Sequence, residues 1–140
     1  MSMQDLIRGL NHDLAAEWGT IIRYTYQASQ AVGLAGQELR ELFSGEIVDE
    51  LEHARFLSDV IVDLGGEPTT QPKAIDMPED LEGMLKLDLE LEMKDVDSYA
   101  ERAEQAGDLG LPGLKVKLEE MAADEAGHAR DLRRLLKGLS

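Results

Sequence analysis

Asp49-Glu50-Leu51-Glu52-His53-Ala54 and Asp124-Glu125-Ala126-Gly127-His128-Ala129 are the two stretches on which the reading of this chain turns. In each, a Glu precedes a His by three residues, a spacing that puts both side chains on one face of an α-helix. Sixteen Glu among 140 residues make a Glu three before a given His roughly an 11% event, so two of the three His qualify by chance only about 4% of the time. The two stretches lie 75 residues apart, and the same offset extends outward from them. Residues 6–62 laid on 81–137 without gaps share 17 identities in 57 positions, where chance at roughly 7% per position gives about 4. The matches recur at helical spacing: Leu6/Leu81, Leu10/Leu85, Asp13/Asp88, Leu14/Leu89, Glu17/Glu92, Tyr24/Tyr99, Ala28/Ala103, Leu39/Leu114 and Leu57/Leu132. The chain reads as two copies of one helical hairpin.

Each copy divides in two. Ser2 followed three residues later by Asp5 has the pattern of a helix start, and the stripe Leu6, Leu10, Leu14, Ile21, Tyr24, Ala28 carries a first helix to a turn at Gly33–Gly36. A second helix is expected from about Gln37 to Leu64, ended by Gly65-Gly66. Glu67 to Asp80, with Pro68, Pro72 and Pro78, reads as an irregular connector. A third helix is expected from near Pro78 to Gly107, and a fourth from Pro112 to Lys137 with Gly138 as its C-cap. Short turns make antiparallel hairpins, while an extended connector at about 3.3 Å per residue is long enough to traverse the bundle. The expectation is an all-α four-helix bundle with one long crossover between the second and third helices, residues 1–140 forming a single domain.

Composition narrows the function. Fourteen Lys and Arg against 29 Asp and Glu leave a net charge of −15, which repels phosphate backbones and anionic lipid, so neither nucleic acid nor a membrane is an expected partner and cations are. The absence of Cys excludes disulfides, thiolate zinc sites and iron–sulfur clusters. Met1-Ser2-Met3-Gln4-Asp5 lacks the basic and apolar regions of a signal peptide, and a cytoplasmic location is expected.

The apolar stripes are interrupted at matching places. Glu17 breaks the first helix between Leu14 and Ile21, and Glu92 breaks the third between Leu89 and Val96. Glu50 and His53 interrupt the second, and Glu125 and His128 the fourth. Glu17 to Glu50 and Glu92 to Glu125 are both intervals of 33 residues. Four inward carboxylates cost several kcal/mol apiece, more than a domain with a net stability of about 5–15 kcal/mol carries uncompensated. Two divalent cations would balance them, with neutral His coordinating through one ring nitrogen.

These residues resemble the ferritin-like di-iron superfamily, and bacterioferritin in particular. The resemblance runs through Leu10-Asn11 and Glu17, Glu46 to Ala54, Met84 to Glu92, and Asp124 to His128. It implies two iron ions per chain, bridged by Glu50 and Glu125, with Glu17 and His53 completing one position and Glu92 and His128 the other. Oxygen-rich ligation with two imidazoles suits iron or manganese and also admits zinc. The implied activity is oxidation of Fe(II) by O₂ or H₂O₂, a ferroxidase reaction serving iron detoxification or storage. The alternatives are a rubrerythrin-like peroxidase and a non-catalytic metal-binding bundle. Tyr24, two turns from Glu17, matches a tyrosine that in bacterioferritin lies beside the metals and can supply an electron.

Two departures matter. Leu51 occupies the place where bacterioferritin has its haem-ligating Met, so haem is not expected. The chain stops 12 residues after His128, short of the fifth helix of 24-subunit cages, and a homo-oligomer of two to twelve chains is expected, the dimer favoured, on a face that includes Trp18 and Tyr26. Asp49/Asp124 and Asp13/Asp88 recur in both halves, a metal-bound His donates its second N–H to a carboxylate or carbonyl, and Asp88 or Asp13, each one turn from a terminal Glu, is the partner expected. Asp95 is expected to face solvent although rubrerythrins carry a further carboxylate ligand at that place, Glu46 reads equally as a surface charge or part of an iron path, and His12 is expected at the surface.

Overall fold

The computed structural model describes residues 1–74 and 76–139. It contains four α-helices in the order α1 (Met3–Gln30), α2 (Gly33–Asp63), α3 (Leu81–Asp108) and α4 (Pro112–Leu139). At about 1.5 Å per residue each is over 40 Å long. None of them is long and apolar enough to cross a membrane.

Local chemistry sets the ends. Ser2 and Asp5 form the expected capping box on α1, the Ser2 hydroxyl accepting from Asp5 N–H and Asp5 accepting from Ser2 N–H, both at 3.1 Å. The helix α2 starts at Gly33, four residues before the expected Gln37. Gly33 takes φ +78°, and a Cβ on Gly36 would stand 2.6 Å from the Ala31 carbonyl carbon. Gly36 thus serves the close approach of α2 to the preceding turn rather than breaking the helix. Gly65 at φ +91° and Gly66 end α2 as expected, donating to the Val62 and Ile61 carbonyls in a Schellman arrangement. The helix α3 begins at Leu81 rather than near Pro78, because the Asp80 side chain caps it by accepting from Gly83 N–H at 2.7 Å. Gly138 lies inside α4 rather than capping it.

Hairpins α1–α2 and α3–α4 pack side by side, with α1 antiparallel to α3. Two apolar layers fill the interior. One joins Leu6, Leu10 and Leu14 to Leu57, Ile61, Ala106 and Leu118, and the other joins Tyr24 and Phe43 to Leu85 and Leu132. Between them, near mid-height, lies a band of buried acids and histidines.

The crossover is strapped along α1. Asn11 donates to the Glu67 carbonyl and accepts from Thr69 N–H; the Trp18 indole donates to the Thr69 carbonyl at 3.0 Å; Lys73 N–H donates to the Ala15 carbonyl at 2.9 Å. Half-buried Trp18 therefore anchors the connector as well as packing on the core. Gly19 lets the strap lie flat, since a Cβ there would sit 2.8 Å from the Lys73 carbonyl oxygen. A Gly19→Ala variant should lose about 1–3 kcal/mol in chemical denaturation; an unchanged midpoint would show that the strap does not press on α1.

Candidate metal centre

All six expected ligand residues are buried and meet in the central band. Glu17, Glu50, His53 and Glu125 each bring one oxygen or nitrogen to within 4.8 Å of the others, and Glu50, Glu92, Glu125 and His128 do the same. Glu50 and Glu125 belong to both quartets, the position a bridging carboxylate requires. Each comes from the middle of a different helix, where the turn-by-turn apolar stripe points its side chain inward.

The histidines are oriented by the other pair of recurring aspartates, Asp124 and Asp49. His53 Nε2 lies 3.0 Å from Asp124 and His128 Nε2 lies 3.0 Å from Asp49, leaving each Nδ1 facing the carboxylates. Asp13 and Asp88, expected in that role, do something else. Asp13 binds Arg102, Nε at 2.9 Å, and Asp88 binds Arg23, Nε at 2.8 Å, and the Gln27 amide at 2.9 Å. The repeated Asp directly before each bridging Glu was the available signal for the true partners.

The two tyrosines behave alike. Tyr24 donates to Glu92 and Tyr99 donates to Glu17, each fixing one oxygen of a terminal carboxylate. Burial, and then the charge of the partner carboxylate, holds both phenols well above their ordinary value. Tyr24 differs in its surroundings: its ring stacks on Phe43 at 5.1 Å with the Arg23 guanidinium 5.1 Å from its centroid.

Three further expectations meet the structure here. Asp95 does not face solvent freely; it is half-buried in a cavity of about 250 Å³ between α1 and α3, lined also by Thr20, Arg23 and Lys73. Glu46 is no surface charge but is buried on α2 one turn before Glu50. His12 is exposed, as expected.

Protons mark what is missing electrostatically. Burial and the neighbouring Glu50 charge raise Glu17 well above its ordinary value, and burial with the Glu17 and Glu50 charges does the same to Glu125. Burial lowers His128, but the Glu50 and Glu92 carboxylates facing its Nδ1 at 3.1 and 3.8 Å overcome it and push the ring up to about 12. His53 is raised in the same manner by Glu17 and Asp124 against its burial. Both oxygens of Glu50 and of Glu125, one each of Glu17 and Glu92, and both His Nδ1 atoms have no hydrogen-bond partner. Oxygen and imidazole donors left open around one point suit a pair of divalent cations that would replace those protons.

A family model for the ferritin-like domain matches residues 7–140. The chain belongs to the ferritin-like family. A ferritin-like, diiron-carboxylate protein from Bacillus anthracis is 43% identical, superposes with a TM-score of 0.93, and is covered over 99% of its length by 97% of this chain. BfrA from Mycobacterium tuberculosis is 24% identical with a TM-score of 0.88, the match covering 98% of this chain and 86% of that one. The bacterioferritin-related protein from Bacteroides fragilis, a dodecameric thioferritin, is 23% identical with a TM-score of 0.84, covering 99% and 88%. No curated protein gives a match.

The pKa directions fix a pH dependence for the ion-free protein. His128, ordinarily 6.5 and here about 12, holds a proton in the folded chain that the unfolded chain releases above pH 6.5. Glu17 and Glu125, raised above 4.5, act in the same sense. The stability these protons contribute is complete below the unfolded values and is lost as pH rises towards the folded ones. Glu92, held below 4.5 by Glu125 and His128 against its burial, is ionised in both states above pH 6.5 and adds no slope. The ion-free melting temperature should therefore fall between pH 6.5 and about 9, and adding divalent cation should release protons and restore more stability at the higher pH. A melting temperature rising over that window would contradict the proton-filled centre.

Proposed function

We propose that this chain binds two iron ions and oxidises Fe(II) with O₂ or H₂O₂, serving iron detoxification or storage. The observation that carries the reading is the pair of quartets sharing Glu50 and Glu125. Glu50 and Glu125 would be shared by the two ions, with Glu17 and His53 completing one position and Glu92 and His128 the other. Bound Fe(II) supplies the electrons; manganese or zinc would also suit the donors. The protein's part is placement. Asp124 and Asp49 orient the His rings through Nε2 and so present Nδ1 to the ions. Tyr99 and Tyr24 hold Glu17 and Glu92, and Tyr24, hydrogen-bonded to Glu92, is the residue we assign as an electron donor. The cleft between α2 and α4, where Asp49, Glu52, Asp59 and Asp124 outnumber Arg55 and Lys117 beside His53, would draw cations towards the centre.

Asp95 belongs to neither quartet, so the rubrerythrin-like peroxidase reading has no additional carboxylate to rest on. Leu51 offers no ligating atom, and haem has no place in the proposal. The diiron-carboxylate relative from Bacillus anthracis supports the iron assignment, and the dodecamer of the Bacteroides fragilis protein supports an assembly. For this chain the assembly proposed is a homo-oligomer of two to twelve copies, the dimer favoured, on the α1–α2 face, where Ile22, Tyr26, Val48 and Leu51 are exposed and Trp18 is half-buried.

Anaerobic titration with Fe(II) followed by oxygen tests the function. Two ions should bind per chain with rapid O₂ uptake, and Glu50→Ala or Glu125→Ala should lose both ions, because each carboxylate serves both positions. One ion per chain, or full binding in both variants, would defeat the proposal; binding without O₂ or H₂O₂ consumption would leave a non-catalytic metal-binding bundle. Light scattering at physiological salt should return two to twelve chains in the wild type and a smaller particle for Val48→Asp combined with Leu51→Glu. A wild-type monomer or 24-subunit shell would refute that assembly.

A further inference from the structure

The internal repeat pairs every residue of the centre with an equal: Glu17 with Glu92, Glu50 with Glu125, His53 with His128, Tyr24 with Tyr99, Asp49 with Asp124. One turn before the bridging glutamates the equality fails. Glu46 stands on α2 where α4 has Met121, and both are buried, 4% and 1% exposed. Met121 is part of an apolar layer. Neither oxygen of Glu46 has a hydrogen-bond partner.

A buried carboxyl without a donor is costly and is relieved by a cation. The charged groups that act on Glu46 come from two of the other helices: His128 draws it towards the ionised form, while Glu92, Asp131 and Asp88 oppose that. With burial as the dominant cause, the carboxyl is pushed up to about 8, and its charge is felt in turn by His128 and Tyr24. Those groups lie on the Glu92–His128 side of the centre. The other side has a thioether in the equivalent place, with no charge to offer.

We infer that the two metal positions are unequal, and that Glu46 makes the quartet Glu50, Glu92, Glu125 and His128 the one that takes the first divalent cation. The inference rests on the two-ion reading proposed above. Glu46 offers that side one more carboxyl than its partner has, which a bound cation would ionise by displacing its proton. Removing a carboxylate that supports a metal position weakens binding about 10- to 100-fold. The two steps of filling should differ by at least about tenfold for the same reason.

Anaerobic titration of the whole chain with Co(II), followed by calorimetry and by the proton NMR signals of the three His rings, reads both affinity and place. Up to one equivalent should bring the large contact shifts of a Co(II)-bonded ring to His128 alone, with His53 moved only by the smaller through-space shift of a nearby paramagnetic ion and exposed His12 least of all; the second equivalent should then bring His53 contact shifts of its own. Glu46→Met installs the side chain the other half already carries, so the first step should fall to meet the second and His53 and His128 should shift together. Glu46→Gln keeps the shape without the charge and should behave as Glu46→Met does. Equal steps in the wild type, His53 shifting first, or unequal steps that persist unchanged in Glu46→Met would overturn the inference while leaving two-ion binding intact. Failure of the wild type to bind two Co(II) ions would overturn the two-ion reading and this inference with it.

Discussion

Four glutamates buried at the centre of an apolar bundle are the constraint on which the remaining structure depends. A carboxylate removed from water costs several kcal/mol even after relaxation, and four together exceed what a domain of this size holds in reserve. Everything around them lowers that cost. Burial and neighbouring charge favour the protonated forms of Glu17, Glu125 and both His rings in the ion-free chain, and tyrosine hydroxyls hold Glu17 and Glu92. The apolar layers above and below keep the band narrow, so the charge is concentrated where two cations would neutralise it.

A second ring of polar groups divides the labour by helix pair. Between α1 and α3, the ion pairs Arg23–Asp88 and Arg102–Asp13 close the interface with charge already balanced. Between α2 and α4, Asp49 and Asp124 remain half open to water while turning the His rings inward. The first pair seals and the second orients. This is why aspartates recurring in both halves have two unrelated duties, one set paired to guanidinium and the other to imidazole.

The fold and the inward direction of the six buried side chains were legible because both depend on periodicity along single helices. An acid inside an apolar stripe, such as Glu17 or Glu92, announces its direction. What escaped depends on contacts between helices. Asp13 and Asp88 lie one turn from a terminal Glu along their own helices, yet the rings they were expected to support are reached instead by Asp124 and Asp49 from the facing helix. Arg23 and Arg102 carried no signal of burial, since a long cationic side chain usually keeps its head in water. Gly36 read as a breaker because a close backbone approach leaves the same mark in sequence as a turn. Glu46 was ambiguous for a similar reason: with Met121 as its counterpart, only the packing of α2 against α4 decides whether it meets water.

The polar contacts of the centre share one property of connectivity. Tyr24 to Glu92, Tyr99 to Glu17, His53 to Asp124, His128 to Asp49, Arg23 to Asp88 and Arg102 to Asp13 each run from one half of the repeat to the other. A single hairpin therefore holds the closest donors for its neighbour's acids, while its own His ring stands farther from its own glutamates, 3.7 Å from Glu17 in one half and 3.8 Å from Glu92 in the other. Alone it would display unpaired carboxylates on its apolar face, which water would solvate and which would resist burial against any unlike surface. Docking of the halves in register is thereby favoured, because there each hairpin meets the other's donors. Two similar halves joined through reciprocal contacts have the logic of an ancestral two-fold dimer whose subunits became tethered, the crossover along α1 converting a concentration-dependent association into an intramolecular one.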